Sequence, residues 1–248
     1  MKQNKSLNVR HDGGETQKPD FTVLMIHGIA SDARSFEKTW EYLEGEKWDR
    51  RMRFVAVDLL GSGDSEKSDE LDYDYREQLA ALHNTIVGLG DVGKLILVGH
   101  SMGTLVATRY ANDYPHDVAG MVLVSPPIYT VADLDNPMFE TAMNGFKMAV
   151  AGSQPELLSE KSFNASIENI VKNRENYDNL CKVCVDVALI YGEKDEIIAS
   201  YNIPAVLKKN HKISAVRTEG RHGIDATKNE AIKSELNKLI EAGDAKTL

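Results

Sequence analysis

The chain is poor in cysteine. Its 248 residues include only two, Cys181 and Cys184, in the spacing Cys-Lys-Val-Cys. A zinc site would need two further ligands, and a thioredoxin-like redox pair belongs near the opening of a βαβ unit. We therefore interpret both cysteines as structural, and their scarcity favours a reducing, cytoplasmic location.

Long hydrophobic runs and an excess of basic residues are also absent. Nowhere do eighteen apolar residues run together, and the first ten residues have no apolar signal-peptide core. Twenty-nine basic against 38 acidic residues give a net charge of −9, with no basic patch, which disfavours nucleic acid and anionic membranes as partners. We expect no nucleic-acid partner, no stable membrane insertion and no secretion, whereas the oligomeric state stays open.

Short apolar runs rich in branched residues alternate with stretches of helical spacing. The runs are apolar on both faces, which is typical of buried parallel strands. This alternation predicts an α/β fold with a doubly wound, mostly parallel sheet flanked by helices. The predicted strands are 21–26, 54–57, 95–98, 121–124, 185–191 and 213–216, and the predicted helices are 35–43, 75–89, 104–114, 199–209 and 225–240.

Residues 128–182 interrupt this alternation, with helical patterns but no convincing strand. We predict a helical cap inserted between core strands, with 1–127 and 183–248 forming the core. Met138, Met143 and Phe146 are candidates for the lining of a substrate pocket, because flexible apolar side chains adapt to apolar ligands. Simple packing of the insert onto the core explains these residues equally well.

The stretch from Gly99 to Gly103, Gly-His-Ser-Met-Gly, is a G-x-S-x-G motif between a predicted strand and a predicted helix. So sharp a turn strains the backbone of Ser101 and tolerates only small residues two positions before and after it. The motif therefore predicts a serine nucleophile displayed at the carboxyl ends of the strands, where ligands bind in such sheets.

A serine nucleophile needs a base, and the base needs an orienting acid. Of the seven histidines, only His222 lies in the loop after the last predicted strand. Asp195 follows the preceding strand, and the order serine, acid, histidine is the one expected for this motif. Glu193 is its nearest rival, and a helix-capping role for Asp195 is the structural alternative.

The tetrahedral intermediate of acyl transfer also needs hydrogen-bond donors for its oxyanion. One is expected from the backbone N–H of Met102, which follows the nucleophile. The other is expected from the backbone N–H of Ile29, in the loop after the first predicted strand, where Gly28 allows a tight turn.

Five features follow one another along the chain: His27-Gly28, the Asp-Leu-Leu-Gly-Ser-Gly-Asp-Ser stretch at 58–65, the G-x-S-x-G motif, the turn from Gly192 to Asp195, and His222. Together they resemble the α/β-hydrolase superfamily, specifically the capped serine hydrolases that include carboxylesterases and monoacylglycerol-type lipases. The similarity spans residues 21–240 apart from the insertion. It implies a triad of Ser101, Asp195 and His222, an oxyanion hole at Ile29 and Met102, and a cap that covers an acyl or alcohol pocket. The resemblance also implies that the loop at Gly61 and Gly63 is a structural turn.

The sequence departs from the family at Thr104, where many relatives have a second glycine. The nucleophilic serine argues against dehalogenases and epoxide hydrolases, which use aspartate at that position.

The resemblance implies a serine hydrolase that cleaves small-molecule carboxylic esters with small or medium acyl groups through an acyl-enzyme. This chemistry needs no metal and no organic cofactor. The same triad also serves thioester, amide, carbon–carbon and peracid chemistry, and the fold does not choose among them. A small-molecule receptor with little turnover is the alternative from another class.

Overall fold

A seven-stranded sheet forms the centre of the computed structural model, which describes residues 5–151 and 159–245. The strand order is β1-β3-β2-β4-β5-β6-β7; β1 is antiparallel to β3 and the other neighbours are parallel. The strands are β1 (Asn8–Gly14), β2 (Phe21–Ile26), β3 (Met52–Asp58), β4 (Lys94–His100), β5 (Val118–Val124), β6 (Asp186–Gly192) and β7 (Ile213–Thr218).

Helices cover both faces of the sheet. A 3₁₀ turn (Ala33–Phe36) precedes the first helix, a π-helical turn (Ile167–Val171) follows the sixth, and a 3₁₀ turn (Ser200–Asn202) precedes the eighth. The helices are α1 (Glu37–Glu44), α2 (Tyr75–Gly88), α3 (Met102–Asp113), α4 (Val131–Leu134), α5 (Pro137–Ala151), α6 (Glu160–Ser166), α7 (Asn176–Cys181), α8 (Ile203–Lys209) and α9 (Ala226–Ala245).

The central strands are buried on both faces. All residues of β2 and β3 are buried, and successive side chains enter opposite core clusters because they alternate across a strand. In β4, for example, Leu95 and Leu97 join the cluster that contains residues of α2 and α3, whereas Ile96 and Val98 join the cluster that contains residues of α1 and α9. The predicted doubly wound α/β sheet is confirmed.

The two edge strands differ from the sequence prediction. β1 is an additional strand whose residues are exposed or half-buried. The prediction that 213–216 is buried on both faces is wrong, because β7 pairs only with β6 and buries Ile213 alone, while Ser214 is exposed. An edge strand has fewer neighbours to cover it.

Helices α4 to α7 occupy the segment between β5 and β6 that the sequence predicts to be an insertion. Its second half belongs to the main core, since Ile170 and Leu180 join a core cluster. Helix α5 contributes no buried residue to either core cluster, since none of its residues from 137 to 150 is buried. Residues 152–158 of the predicted cap lie outside the described residues.

Two further observations concern the described ranges. Within 5–151 and 159–245, no helix combines the length and the apolar character needed to cross a membrane. Cys181 is half-buried and Cys184 exposed, both as free thiols, and burial raises the pKa of Cys181. A raised thiol pKa lowers nucleophilicity at neutral pH.

Candidate active site

Ser101 lies at the turn between β4 and α3, with φ 51° and ψ −123°, a left-handed backbone conformation that costs energy in a residue with a side chain. The flanking glycines make the turn possible. A Cβ on Gly99 would lie 2.7 Å from backbone atoms of Gly103 and Thr104, and one on Gly103 would overlap the carbonyl oxygen of Ile26. The expected small-residue requirement therefore comes from close backbone approach on both sides.

Three side chains from different loops form one hydrogen-bond chain. Nε2 of His222 lies 2.9 Å from Oγ of Ser101, and Nδ1 lies 2.9 Å and 3.1 Å from the two carboxylate oxygens of Asp195. Asp195 follows β6 and His222 follows β7, so the parallel strands bring the three residues to one edge of the sheet. The structure thus brings together the three residues named from the sequence.

The carboxylate of Asp195 is buried yet ionised. Burial raises its pKa. The hydrogen bond and the charge of His222, with the hydrogen bond from the backbone N–H of Ile197, lower the pKa by more than burial raises it, so that the net shift is downward. Oδ1 also accepts from the backbone N–H of Ile198, as an N-terminal cap would. The carboxylate of Asp195 therefore contacts both the imidazole of His222 and the backbone of the local turn. The rival Glu193 is exposed and lies 3.7 Å from Arg217.

The main-chain carbonyl of His222 is held by two side chains. Nε2 of His100 lies 3.0 Å from it, and the hydroxyl of Ser125 donates to it at 2.9 Å. A carbonyl can only accept, so Nε2 of His100 carries the proton. Burial, with repulsion from His222 second, lowers the pKa of His100 to about 3 and keeps its ring neutral.

The loop expected to supply the first oxyanion donor is shaped by His27, which is fully buried. Its Nδ1 donates to the carbonyl of Gly28 at 2.7 Å, and its Nε2 accepts from the backbone N–H of Leu59 at 2.9 Å. Burial lowers its pKa, which favours this neutral form. Gly28 approaches the nucleophile so closely that a Cβ would lie 2.9 Å from Cβ of Ser101. Ile29 follows at the cavity wall.

The second expected donor, the N–H of Met102, belongs to the first residue of α3. The first N–H groups of a helix have no carbonyl partner within it, so this one is available to an oxyanion. The positive end of the helix dipole adds to the stabilisation of negative charge at Ser101.

The turn at Gly61 and Gly63 is bonded to the loop after β2 through Asp58. Both glycines have positive φ, 85° and 51°, and a Cβ on Gly63 would overlap the buried carboxylate of Asp58. Asp58 accepts from the backbone N–H groups of Ala33 and Asp64 and so joins the turn to the loop after β2. The turn is structural, as the resemblance implies.

A cavity of about 310 Å³ opens above Ser101. Its lining is mainly apolar, with α5 on one side and the π-helical turn on another. Met143 and Phe146 line it as predicted, but the expectation for Met138 is wrong, because Met138 is 70% exposed and outside the lining. The residues of α5 that line the cavity are Phe139, Ala142, Met143 and Phe146. Their spacing of i, i+3, i+4 and i+7 places them on one face of the helix, and Met138 lies one residue before the first of them.

Sequence reasoning missed Ser125, Ile167 and Val171. Ser125 follows β5 directly, and the rule that carboxyl ends of neighbouring strands meet would have drawn attention to it. Ile167 and Val171 line the cavity through a π-helical turn that no residue pattern announces. Within the described ranges, no group of three His, Cys, Asp or Glu residues is arranged to hold a metal ion.

Known proteins resemble this chain in sequence and in fold. It is 30% identical over 128 residues to the probable lysophospholipase BODYGUARD 1 of Arabidopsis thaliana, covering 52% of this chain but only 27% of that protein. It is 23% identical over 209 residues to Lipase 1 of Psychrobacter immobilis, covering 79% of this chain and 63% of that protein. The chain therefore spans less than two thirds of the length of these relatives.

Among solved structures, an esterase (EaEST) from Exiguobacterium antarcticum has a TM-score of 0.72 at 19% identity and covers 95% of both chains. The family model described as alpha/beta hydrolase fold matches residues 22–166, which is more than half of the chain. With its sheet order and its strained serine between β4 and α3, the protein belongs to the α/β hydrolase fold family.

Proposed function

We propose that this protein is a serine hydrolase that cleaves carboxylic esters through an acyl-enzyme intermediate. The observation that carries the proposal is the unbroken hydrogen-bond chain from Asp195 through His222 to Ser101, which ends at an apolar cavity. A nucleophile, a base and an orienting acid within hydrogen-bonding distance are the arrangement that acyl transfer requires.

In the first half-reaction, Oγ of Ser101 attacks the ester carbonyl while Nε2 of His222 takes its proton. Asp195 holds the imidazole by Nδ1 and stabilises its cation. The N–H groups of Ile29 and Met102 stabilise the oxyanion, and the imidazolium then gives its proton to the departing alcohol.

In the second half-reaction, water occupies the place of the alcohol. His222 removes a proton from this water, which attacks the acyl carbonyl and forms a second oxyanion intermediate. Its collapse releases the carboxylic acid and returns the proton to Oγ of Ser101, which restores the starting state. No metal or organic cofactor takes part in these steps.

The cavity supports a small or medium apolar acyl group as substrate. A volume of about 310 Å³ lies at the lower end of the range of ligand pockets. Phe139, Met143 and Phe146 offer apolar surface, and Glu196 is the carboxylate of the lining. Bringing an anionic acyl chain beside Glu196 would be unfavourable. The names lipase, lysophospholipase and esterase borne by similar proteins agree with ester cleavage.

Labelling with a fluorophosphonate and hydrolysis of p-nitrophenyl esters test the proposal. We expect wild type to be labelled on Ser101, and Ser101→Ala to lose labelling and at least about 10³-fold in kcat. Asp195→Asn should lose about 10⁴-fold in kcat, because the imidazole is left in the wrong tautomer. Ser234→Ala, which alters an exposed serine of α9 outside the cavity lining, is the matched control and should stay near wild type.

A wild type that neither reacts with the fluorophosphonate nor hydrolyses p-nitrophenyl acetate to octanoate contradicts the proposal. A matched series of oxygen esters, thioesters and amides with the same acyl group then measures the preference for the leaving group. We expect the highest kcat/KM for the oxygen ester, and a higher value for another member would reassign the reaction.

A further inference from the structure

A fully buried lysine lies beside the catalytic histidine. The side chain of Lys228 has 0% exposure, although lysines are almost never fully buried without a partner. It is the third residue of α9, close to the end of the helix where the dipole disfavours a positive charge. Both facts make Lys228 costly, so its place in the fold needs a compensating interaction.

That interaction is with the loop that carries His222. Nζ of Lys228 donates to the main-chain carbonyl of Arg221 and, at 2.6 Å, to that of Gly223. These are the residues directly before and after the histidine. One ammonium group, with three N–H donors, therefore joins both flanks of His222 to helix α9.

The carbonyl between them, that of His222, is bound by two other side chains. His100 and Ser125 occupy the carbonyl of His222, so three consecutive carbonyls are bound by side chains. The loop connects the end of β7 at Thr218 to the start of α9 at Ala226 without forming a regular element. Side-chain donors, together with the backbone N–H of Lys194 that donates to the carbonyl of Gly220, therefore determine its position.

The charge on Lys228 matches its surroundings. Burial lowers the pKa of its ammonium, while the carboxylates of Asp225 and Asp195 oppose that shift. Asp225 is itself fixed, since it accepts at 3.0 Å from the backbone N–H of Lys228. A neutral, apolar side chain of equal length would fill the space but leave the carbonyls of Arg221 and Gly223 without the ammonium donor.

We propose that Lys228 is a positioning residue that sets His222 in register with Ser101 and Asp195 by binding the carbonyls of Arg221 and Gly223. This role rests on the proposed function of the triad. Small displacements of a base from its nucleophile slow proton transfer strongly, whereas substrate binding in the apolar cavity does not involve Lys228. The effect of losing Lys228 thus falls on kcat and not on KM.

Lys228→Met, measured beside wild type with p-nitrophenyl butyrate and a fluorophosphonate, tests this inference. We expect kcat and the rate constant of labelling to fall by about 10- to 100-fold, with KM within about threefold of wild type. Lys228→Arg, which retains a cation with several donors, should recover part of both rates. Lys238→Met on the exposed side of the same helix is the control and should leave both rates unchanged.

The outcomes separate the two proposals. An inactive, unlabelled wild type overturns the proposed function and this inference with it. An active wild type together with a folded Lys228→Met of equal kcat overturns the inference alone, as does an equal rise in KM and fall in kcat. Lys228→Gln replaces the methionine variant if that does not fold, and failure of all three variants to fold overturns the inference by showing a purely structural role.

Discussion

The hydroxyl of Ser125 donates a hydrogen bond to the main-chain carbonyl of His222 at 2.9 Å and so joins the end of β5 to the loop after β7. Ser125 is fully buried and has φ 49°, a left-handed conformation. It therefore binds the main chain of one residue of the proposed triad, His222, from the end of β5.

Ser125→Ala should reduce kcat by about 5- to 30-fold, equivalent to about 1–2 kcal/mol for a hydrogen bond to a buried group. Ser125→Gly loses the same hydroxyl and should lose the same factor in kcat. Its melting temperature should exceed that of Ser125→Ala, because glycine adopts φ 49° without strain. Equal activity of wild type and both variants would show that the hydroxyl has no part in orienting His222.

Gly103→Ala should lower the free energy of unfolding by about 1–3 kcal/mol or more. The added Cβ would overlap the carbonyl oxygens of Ile26 and His27, in the neighbouring strand and the loop after it. Gly145→Ala in the exposed part of α5 is the matched change, since nothing lies within 4 Å of its Cβ position. It should gain about 0.5–1 kcal/mol from helix propensity. Urea unfolding of both variants measures the difference, and a loss of similar size in both would contradict the packing explanation.

Met143→Trp should narrow the cavity and reduce kcat/KM for p-nitrophenyl octanoate at least about tenfold more than for the acetate, since only the longer acyl chain needs the filled space. Met138→Trp is the control on the same helix and lies outside the lining. Its chain-length profile should match that of wild type. An unchanged profile in both variants would place the acyl chain elsewhere.

Acid should destabilise the fold below about pH 6.5, where histidine is half-protonated in unfolded chains. Burial lowers the pKa of His27, and burial with repulsion from His222 lowers that of His100 to about 3, so the unfolded state binds protons that the folded state excludes. As the pH falls from about 6.5 toward the pKa of His100 in the folded state, this histidine lowers the free energy of unfolding by at most about 1.4 kcal/mol per pH unit.

His100→Gln should therefore flatten the pH dependence of the unfolding free energy between about pH 6.5 and 4, while its amide still donates toward the carbonyl of His222. His116→Gln changes an exposed histidine and should leave the slope as in wild type. Equal slopes in all three proteins would contradict a His100 that stays neutral in the folded state.

Local sequence patterns are sufficient for the central sheet and for naming the three residues of the proposed triad that the structure brings together. Strands such as β2 are apolar on both faces, and the G-x-S-x-G motif fixes the place of Ser101 and the order of its partners. Edge strand β1 was missed, because its mixed burial gives no apolar run. A strand whose side chains face solvent has little hydrophobic signal to detect.

The supporting residues were beyond local patterns for a different reason. Lys228 stands in an amphipathic helix, where a lysine ordinarily faces solvent, and only the tertiary structure shows it turned toward the loop of His222. In α5, an error of one residue in helical phase separates exposed Met138 from Phe139 in the lining. Such details depend on long-range contacts that no short window of sequence contains.

Strand β7 has one neighbour, β6, and is the element from which the loop of His222 extends. Opening of a sheet edge costs less free energy than unfolding of the whole domain. Opening of the β6–β7 pair would displace His222 from Ser101, whereas the circular dichroism spectrum reports the whole sheet. A preparation that retains its folded spectrum can already have lost its base.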